Sequence, residues 1–220
     1  GVGAQNERMK ERVMKLTDEY DNMDAFVVDF TEESQLEQLA KDVAETYGKI
    51  DFLVHSAAFA NKEDLEGRFV DTSREGFAMA MDISCYSLVS LCRALEPVFN
   101  EDASVMTMSY LGSTRMVGNY NVMGVAKAAL ESSVRYLAQD LGHAGIRVNT
   151  ISPGPINTVA ARGVKGLSGM IDHVHDVAPL KREFGQEDVG RCAVYLMSDL
   201  SKGVSGQLIY VDSGYNVVGM

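Results

Sequence analysis

Positive charge is scarce in this 220-residue sequence. Its 20 Lys and Arg face 31 Asp and Glu, a formal net charge of −11. A surface of that sign repels phosphate backbones and anionic lipid, which disfavours nucleic-acid or peripheral-membrane binding. Cysteine is also scarce. Cys85, Cys92 and Cys192 are odd in number and spaced for neither a zinc site nor a disulfide framework, so a reducing, cytoplasmic setting is expected. Long apolar runs are lacking. The longest stretch free of Asp, Glu, Lys and Arg is Val148–Ala161, which contains Pro153 and Pro155, whereas a membrane helix needs about 18–20 largely apolar residues. The opening residues do not read as a signal peptide. There are no repeats, low-complexity tracts or Pro/Ser-rich linkers. A single domain over residues 1–220 is expected, long enough for a core without disulfides or metals.

What is present is an alternation of apolar strands and amphipathic helices. Asp24–Phe30 is a buried-strand pattern. Thr31-Glu32-Glu33 suits a helix start, with a hydroxyl cap and carboxylates in the first turn. Leu36, Leu39, Ala40, Val43, Ala44 and Tyr47 then recur at helical spacing up to Gly48. Ile50–Ser56 is the next strand. Thr72-x-x-Glu75 reads as a capping box opening a long helix towards Pro97. Ser104–Tyr110 and Ile146–Ile151 are further strands, on either side of a helix over Asn121–Leu141 that Gly142 closes. Gln186–Leu200 is helical and Gln207–Asp212 is a last strand. This alternation predicts an α/β fold, a doubly wound (Rossmann-like) parallel sheet covered on both faces. Ligands then bind at the carboxyl ends of the strands.

Tyr120 and Lys127 are seven residues apart. Seven helical steps come within about 20° of two full turns, so both side chains leave one face, with about 10.5 Å of rise between them. An ammonium beside a phenol favours the phenolate and strengthens the phenol as an acid. Two surface residues of one helix would show the same spacing, so the context matters. Ser109-Tyr110-Leu111-Gly112 ends the preceding strand and could bring a second phenol, Tyr110, to the same cleft.

Ser109–Lys127 (SYLGSTRMVGNYNVMGVAK) resembles the active-site segment of bacterial enoyl-acyl-carrier-protein reductases of the short-chain dehydrogenase/reductase superfamily. Further matches follow the family's order: His55-Ser-Ala-Ala-Phe-Ala60, Asp82-Ile-Ser-Cys-Tyr-Ser87, Ser152-Pro-Gly-Pro-Ile-Asn-Thr158 and Val211-Asp-Ser-Gly214. The resemblance implies NADH-dependent reduction of trans-2-enoyl-acyl-carrier-protein in fatty-acid elongation, usually by a homotetramer to which Leu208–Met220 could contribute. It also implies roles. Tyr120 would hydrogen-bond the thioester oxygen and stabilise the enolate. Lys127 would hold the nicotinamide ribose, and Tyr110 would line the substrate site and assist. Asp29 and Phe30 would meet the adenine, and Ser56 and Ala57 would border the dinucleotide. Ile156 would meet the carboxamide and Thr158 the pyrophosphate. Ala60, Met123 and Met170 would line the acyl site. Gln5–Arg8 lacks the adjacent basic pair that grips a 2′-phosphate, which favours NADH; Arg8 and Lys10 leave NADPH open.

Two rivals remain. One is a carbonyl reductase or alcohol dehydrogenase of the same superfamily, which carries Ser thirteen residues before the Tyr, where this chain has Thr107. The other is a cofactor-deficient relative with a binding role. The superfamily opens with a strand, a glycine-rich turn and a helix that cradle pyrophosphate. Gly1-Val2-Gly3 is a faint echo of it, and Gln5–Lys10 resembles the stretch after the second strand. The N-terminal βα unit is therefore expected to be missing or compressed, and this chain alone to bind the dinucleotide poorly. His173-x-His175 would point about 200° apart on a helix and share no metal. His55 reads as structural, Met79–Met81 as helix packing, and Cys85 and Cys92 as buried. Arg162, Lys165, Lys181 and Arg182 form a basic cluster that could dock an acidic carrier protein. Thr158–Ile171 reads as a mobile flap.

Overall fold

The computed structural model describes residues 1–17, 20, 23–158, 161–182 and 184–218, apart from the side chain of Arg162. In chain order the elements are β1 (Val2–Ala4), α1 (Glu7–Thr17), β2 (Ala25–Val27), α2 (Glu33–Tyr47), β3 (Ile50–His55), α3 (Lys62–Leu65), α4 (Arg74–Met81), α5 (Ser87–Leu95), β4 (Phe99–Met108), α6 (Asn121–Leu141), β5 (Arg147–Pro153), α7 (Leu167–Val177), α8 (Gln186–Met197) and β6 (Leu208–Val211). All pairings are parallel.

The sheet comes in two pieces, β1-β2 and β3-β4-β5-β6. In the four-stranded piece Val105, Met106, Val148 and Ile151 are fully buried, as strands covered on both faces require. On one face α2, α5 and α6 contribute Leu36, Leu88, Leu91, Leu130 and Val134 to the main core. On the other, Val189 and Leu196 of α8 pack on Met106 and Ile151. The register sets His55 beside Thr107, and Met108 beside Ile151, so the carboxyl ends of the central strands form one ledge.

Between β1-β2 and β3 lies a cavity of about 760 Å³, bordered by Val2 and Gly3 on one side and Phe52 and Val54 on the other. Phe52 and Val54 are 52% and 46% exposed. The doubly wound order places the first strand between the two halves of the sheet, and this gap has that position.

Local details revise several sequence expectations. The strand expected over Asp24–Phe30 is only β2, three residues long. The cap of α2 is Glu32, with no side-chain bond to the helix; the Thr31 hydroxyl turns back to Asp29 instead. The cap of α4 is Ser73, whose Oγ accepts from the Gly76 amide, while Thr72 bonds the Phe69 carbonyl. The long helix towards Pro97 runs continuously over Arg74–Val98 and contains a π-helical turn over Asp82–Tyr86. Met79 is exposed rather than packed. The stretch Arg74–Val98 is long and apolar enough by composition to cross a membrane, yet half of that window is buried in the molecule; Leu88, Leu91 and Leu95 are core residues, as in a central helix of a globular fold. The flap segment contains α7, which begins at Leu167.

Candidate active site

A cavity of about 520 Å³ opens on the ledge formed by the ends of β3, β4 and β5. Tyr110, Tyr120 and Lys127 all line it. Tyr120 is the cap residue of α6, not a member of it, so the two expected side chains leave its first two turns. Lys127 is buried, and its Nζ donates to the Met108 carbonyl at 2.8 Å. Tyr110 meets Tyr120 edge to face, with ring centroids 4.9 Å apart.

Small residues make this closeness possible. A Cβ at Gly112 would lie 2.4 Å from the Tyr120 ring, and one at Gly124 would lie 2.7 Å from the Gly112 carbonyl oxygen. The β4–α6 loop therefore rests directly on the first turn of α6. Asn119, at φ 59°, takes a left-handed conformation that Asn tolerates better than most residues. Its amide group donates to the Lys165 carbonyl, and that of Asn121 reaches the Glu66 and Gly67 carbonyls. Tyr120 thus sits between two anchored asparagines.

Burial outweighs the neighbouring ammonium in the electrostatics of the site. Burial, with a smaller contribution from Tyr110, pushes the Tyr120 phenol well above its ordinary range. Burial and Tyr215 push Tyr110 up to about 12. Proximity to Lys127 does not produce a phenolate; both tyrosines stay protonated donors at neutral pH. Burial lowers Lys127 to about 8, against the opposing influence of Cys85 and Glu131.

His55 is structural, as expected. Its Nδ1 lies 2.8 Å from Thr107 Oγ1 and its Nε2 lies 2.8 Å from Ser87 Oγ. Ser87 donates to the Ile83 carbonyl, so His55 Nε2 carries the proton and Nδ1 accepts from Thr107. Burial, then Lys127, depresses His55 to about 3. Ser84, in the π-helical turn, bridges both backbone groups of Phe59 and holds the loop after β3 over the cavity. Sequence reasoning missed Ser84 and Glu131, whose partners lie 25 and 22 residues away; no local spacing signals such pairs.

The expected cofactor residues divide between two hollows. Ser56, Lys127, Ile156 and Thr158 line the smaller cavity, with the expected substrate residues Ala60, Met123 and Met170. Phe30 and Ala57 line the larger one, and Ser56 borders both. Asp29 lines neither; its carboxylate accepts from the amide and hydroxyl of Thr31. The basic cluster is not a free positive patch. Lys165 pairs with Glu66, Arg182 with Asp188, and Lys181 bonds the Asp176 carbonyl; the Arg162 side chain lies outside the described residues. His173 and His175 are exposed, and His173 packs edge-on to Tyr215. Among the described residues no cluster of His, Cys, Asp or Glu could hold a metal. Cys85 and Cys92 are buried, and Cys192 is partly so.

Comparison with known proteins agrees with this arrangement. The sequence model of the Enoyl-(Acyl carrier protein) reductase family matches residues 2–216. The enoyl-[acyl-carrier-protein] reductase [NADH] FabI of Rickettsia typhi is 47% identical over 215 residues, covering 98% of this chain and 82% of the relative. The protein of the same name from Nostoc sp. is 52% identical over 188 residues, covering 86% of this chain and 73% of its own. Among solved structures, the Bacillus cereus enoyl-acyl carrier protein reductase with NADP+ and indole naphthyridinone superposes with a TM-score of 0.96 at 44% identity, over 99% of this chain and 86% of that one. The Aquifex aeolicus enoyl-[acyl-carrier-protein] reductase (NADH) gives 0.95 at 40% identity, over 99% and 85%. With two phenols and a buried lysine held on the ledge of a parallel sheet, and a family match from its second residue almost to its last, the chain belongs to the enoyl-(acyl carrier protein) reductase family.

Proposed function

We propose that this chain catalyses NADH-dependent reduction of the carbon–carbon double bond of trans-2-enoyl-acyl-carrier-protein in bacterial fatty-acid elongation. The observation that carries this reading is the convergence of Tyr110, Tyr120 and Lys127 on one cavity whose other walls include the apolar Phe59, Met123, Leu167 and Met170. Apolar walls suit an acyl chain, and the phenols suit its thioester end.

The residues present fit the nicotinamide end of a dinucleotide. Lys127 has three N–H donors, and the Met108 carbonyl takes one; ribose hydroxyls suit the others. Thr158 Oγ1 accepts from the Ala161 amide, so its own O–H is the group it offers to a phosphate oxygen. Ile156, whose carbonyl accepts from the Thr158 amide, would meet the carboxamide through its N–H. Among the described residues no glycine-rich strand-to-helix turn serves the pyrophosphate end. When bound, the dinucleotide supplies the hydride.

The protein's part is electrostatic. Tyr120, kept protonated by burial, donates to the thioester oxygen as negative charge develops there, so the bond strengthens towards the transition state. Lys127 orients the ribose and adds positive potential. Tyr110 packs on Tyr120 and restricts its ring. The carbonyl-reductase rival is disfavoured by Thr107: it is fully buried and its hydroxyl serves His55.

The chain is further proposed to act in the cytoplasm as a homotetramer. Tyr136, Val194 and Leu200, which are 73%, 62% and 82% exposed, are apolar surface that a second copy would cover; sedimentation velocity tests this. The activity is tested with crotonyl and 3-ketoacyl thioesters at millimolar NADH. Reduction of the enoyl substrate alone is expected, and preference for the ketoacyl substrate would overturn the reading.

A further inference from the structure

Glu131 lies one helical turn beyond Lys127, on the same face of α6. It is buried, and its Oε1 accepts from Ser109 Oγ at 2.5 Å. Ser109 is held from the other side as well, since its amide donates to the Ile151 carbonyl at 2.8 Å. The adjoining residues are Met108, whose carbonyl receives the Lys127 ammonium, and Tyr110, which packs on Tyr120. Two side chains of α6 four residues apart therefore fasten two consecutive residues at the end of β4.

We propose that Glu131 is a positioning residue: it clamps Ser109 to α6, fixing where Tyr110 leaves the sheet, and supplies the negative charge that keeps Lys127 protonated in its buried position. Two groups around Lys127 favour its charged form, Cys85 first and Glu131 second. From β3, His55 faces it as a neutral ring. Cys85 faces it from the π-helical turn. Tyr110 and Tyr120 share its cavity as protonated phenols. Glu131 is the carboxylate in this set, and it favours the charged lysine. Arg135, one turn further on, donates to the backbone carbonyl of Glu131.

The kinetic part of this inference rests on the proposed reductase activity, so its test includes a readout that does not. Glu131→Gln preserves an acceptor for Ser109 and removes the charge. Ser109→Ala preserves the charge and removes the clamp. In Glu131→Gln the Lys127 titration, followed by NMR of lysine-labelled protein with Lys127→Arg assigning the signal, is expected to move at least half a pH unit lower. The alkaline limb of kcat/KM is expected to move with it. In Ser109→Ala both stay in place, while kcat falls about tenfold with KM little changed, as expected when geometry at the reacting centre loosens. Should Glu131→Gln not fold, Glu131→Asp, which keeps the charge and shortens the reach, is expected to match Ser109→Ala. An unmoved lysine titration in Glu131→Gln, or a shifted one in Glu131→Asp, overturns the inference. Failure of the wild type to reduce enoyl thioesters would instead remove the functional reading and leave the lysine titration to judge Glu131.

Discussion

The backbone of Gly112 lies against the ring of Tyr120, so close that a methyl group at residue 112 would fall 2.4 Å from the ring's Cδ1. The ring is fixed near its root, and Tyr110 packs edge-on against it, so it has little room to yield. Gly112→Ala is expected to displace the phenol. Overpacking of this kind costs about 1–3 kcal/mol, and kcat/KM should drop roughly tenfold or more, because an ångström of misplacement at a reacting group is costly. Thermal denaturation and steady-state kinetics of the variant check both.

Removal of the Tyr120 hydroxyl alone takes away the donor to the developing charge. Tyr120→Phe is expected to lose about 10²–10³ in kcat, the usual effect of one such donor, with stability nearly unchanged. Lys127→Ala should lose turnover and raise the KM for NADH together. Undiminished turnover in both variants would show that neither side chain takes part in the chemistry, and absence of turnover in the wild type would point to a binding protein in place of an enzyme.

Lys127 and His55 give pH signatures of the same sign in two separate windows, because burial lowers both groups. Lys127 titrates near 8 in the folded state, below the value of an unfolded lysine. The buried ammonium is therefore a penalty at pH below 8 that is relieved as pH rises through the lysine range, so its contribution to stability increases there. Activity should fall over the start of that same interval, as the ammonium is lost. Chemical denaturation and kcat/KM measured between pH 7 and 10 should diverge in this way; parallel declines would contradict the buried-ammonium account.

On the acid side, His55 stays neutral down to about 3, whereas an unfolded histidine takes up its proton near 6.5. The unfolded state binds more protons over that interval, so stability is lost as pH falls from the histidine range towards 3. His55→Gln should flatten this slope in acid denaturation, at the cost of its bonds to Thr107 and Ser87.

Legibility in the sequence followed the range of the interaction. The limits of α6 were readable, because a period of 3.6 ending at Gly142 is a local signal and the helix ends one residue earlier. The meeting of Tyr120 and Lys127 was readable from helical geometry, and Tyr110 from the family's motif. The cap of α4 slipped by one residue because Thr72 and Ser73 both carry the needed hydroxyl; only the chain's approach decides which one meets Gly76. Helix α1 was missed although Met9, Val13 and Leu16 recur at helical spacing, and in the fold it buries no residue. The Ser109–Glu131 and His55–Thr107 pairs had no local trace at all, since they form only when β3, β4 and α6 come together. The role of Tyr120 as a donor agrees with its protonated state, but the spacing showed only a neighbouring ammonium; the burial that raises the phenol is a property of the assembled fold.

The gap in the sheet divides the molecule into parts of unequal persistence. The β1–β2 pair is held through α2, by the Phe26–Tyr47 ring contact and by Val28 in the main core, while α1 adds no buried side chain to hold it; two strands alone are marginal in water. Strands β4 and β5, by contrast, are sealed on both faces. Amide protons of β1 and β2 should therefore exchange with solvent through local opening long before those of β4 and β5. Heating would release the first thirty or so residues while the catalytic ledge stayed assembled, so a loss of signal from the ribbon need not mean a loss of the chemistry that the ledge supports.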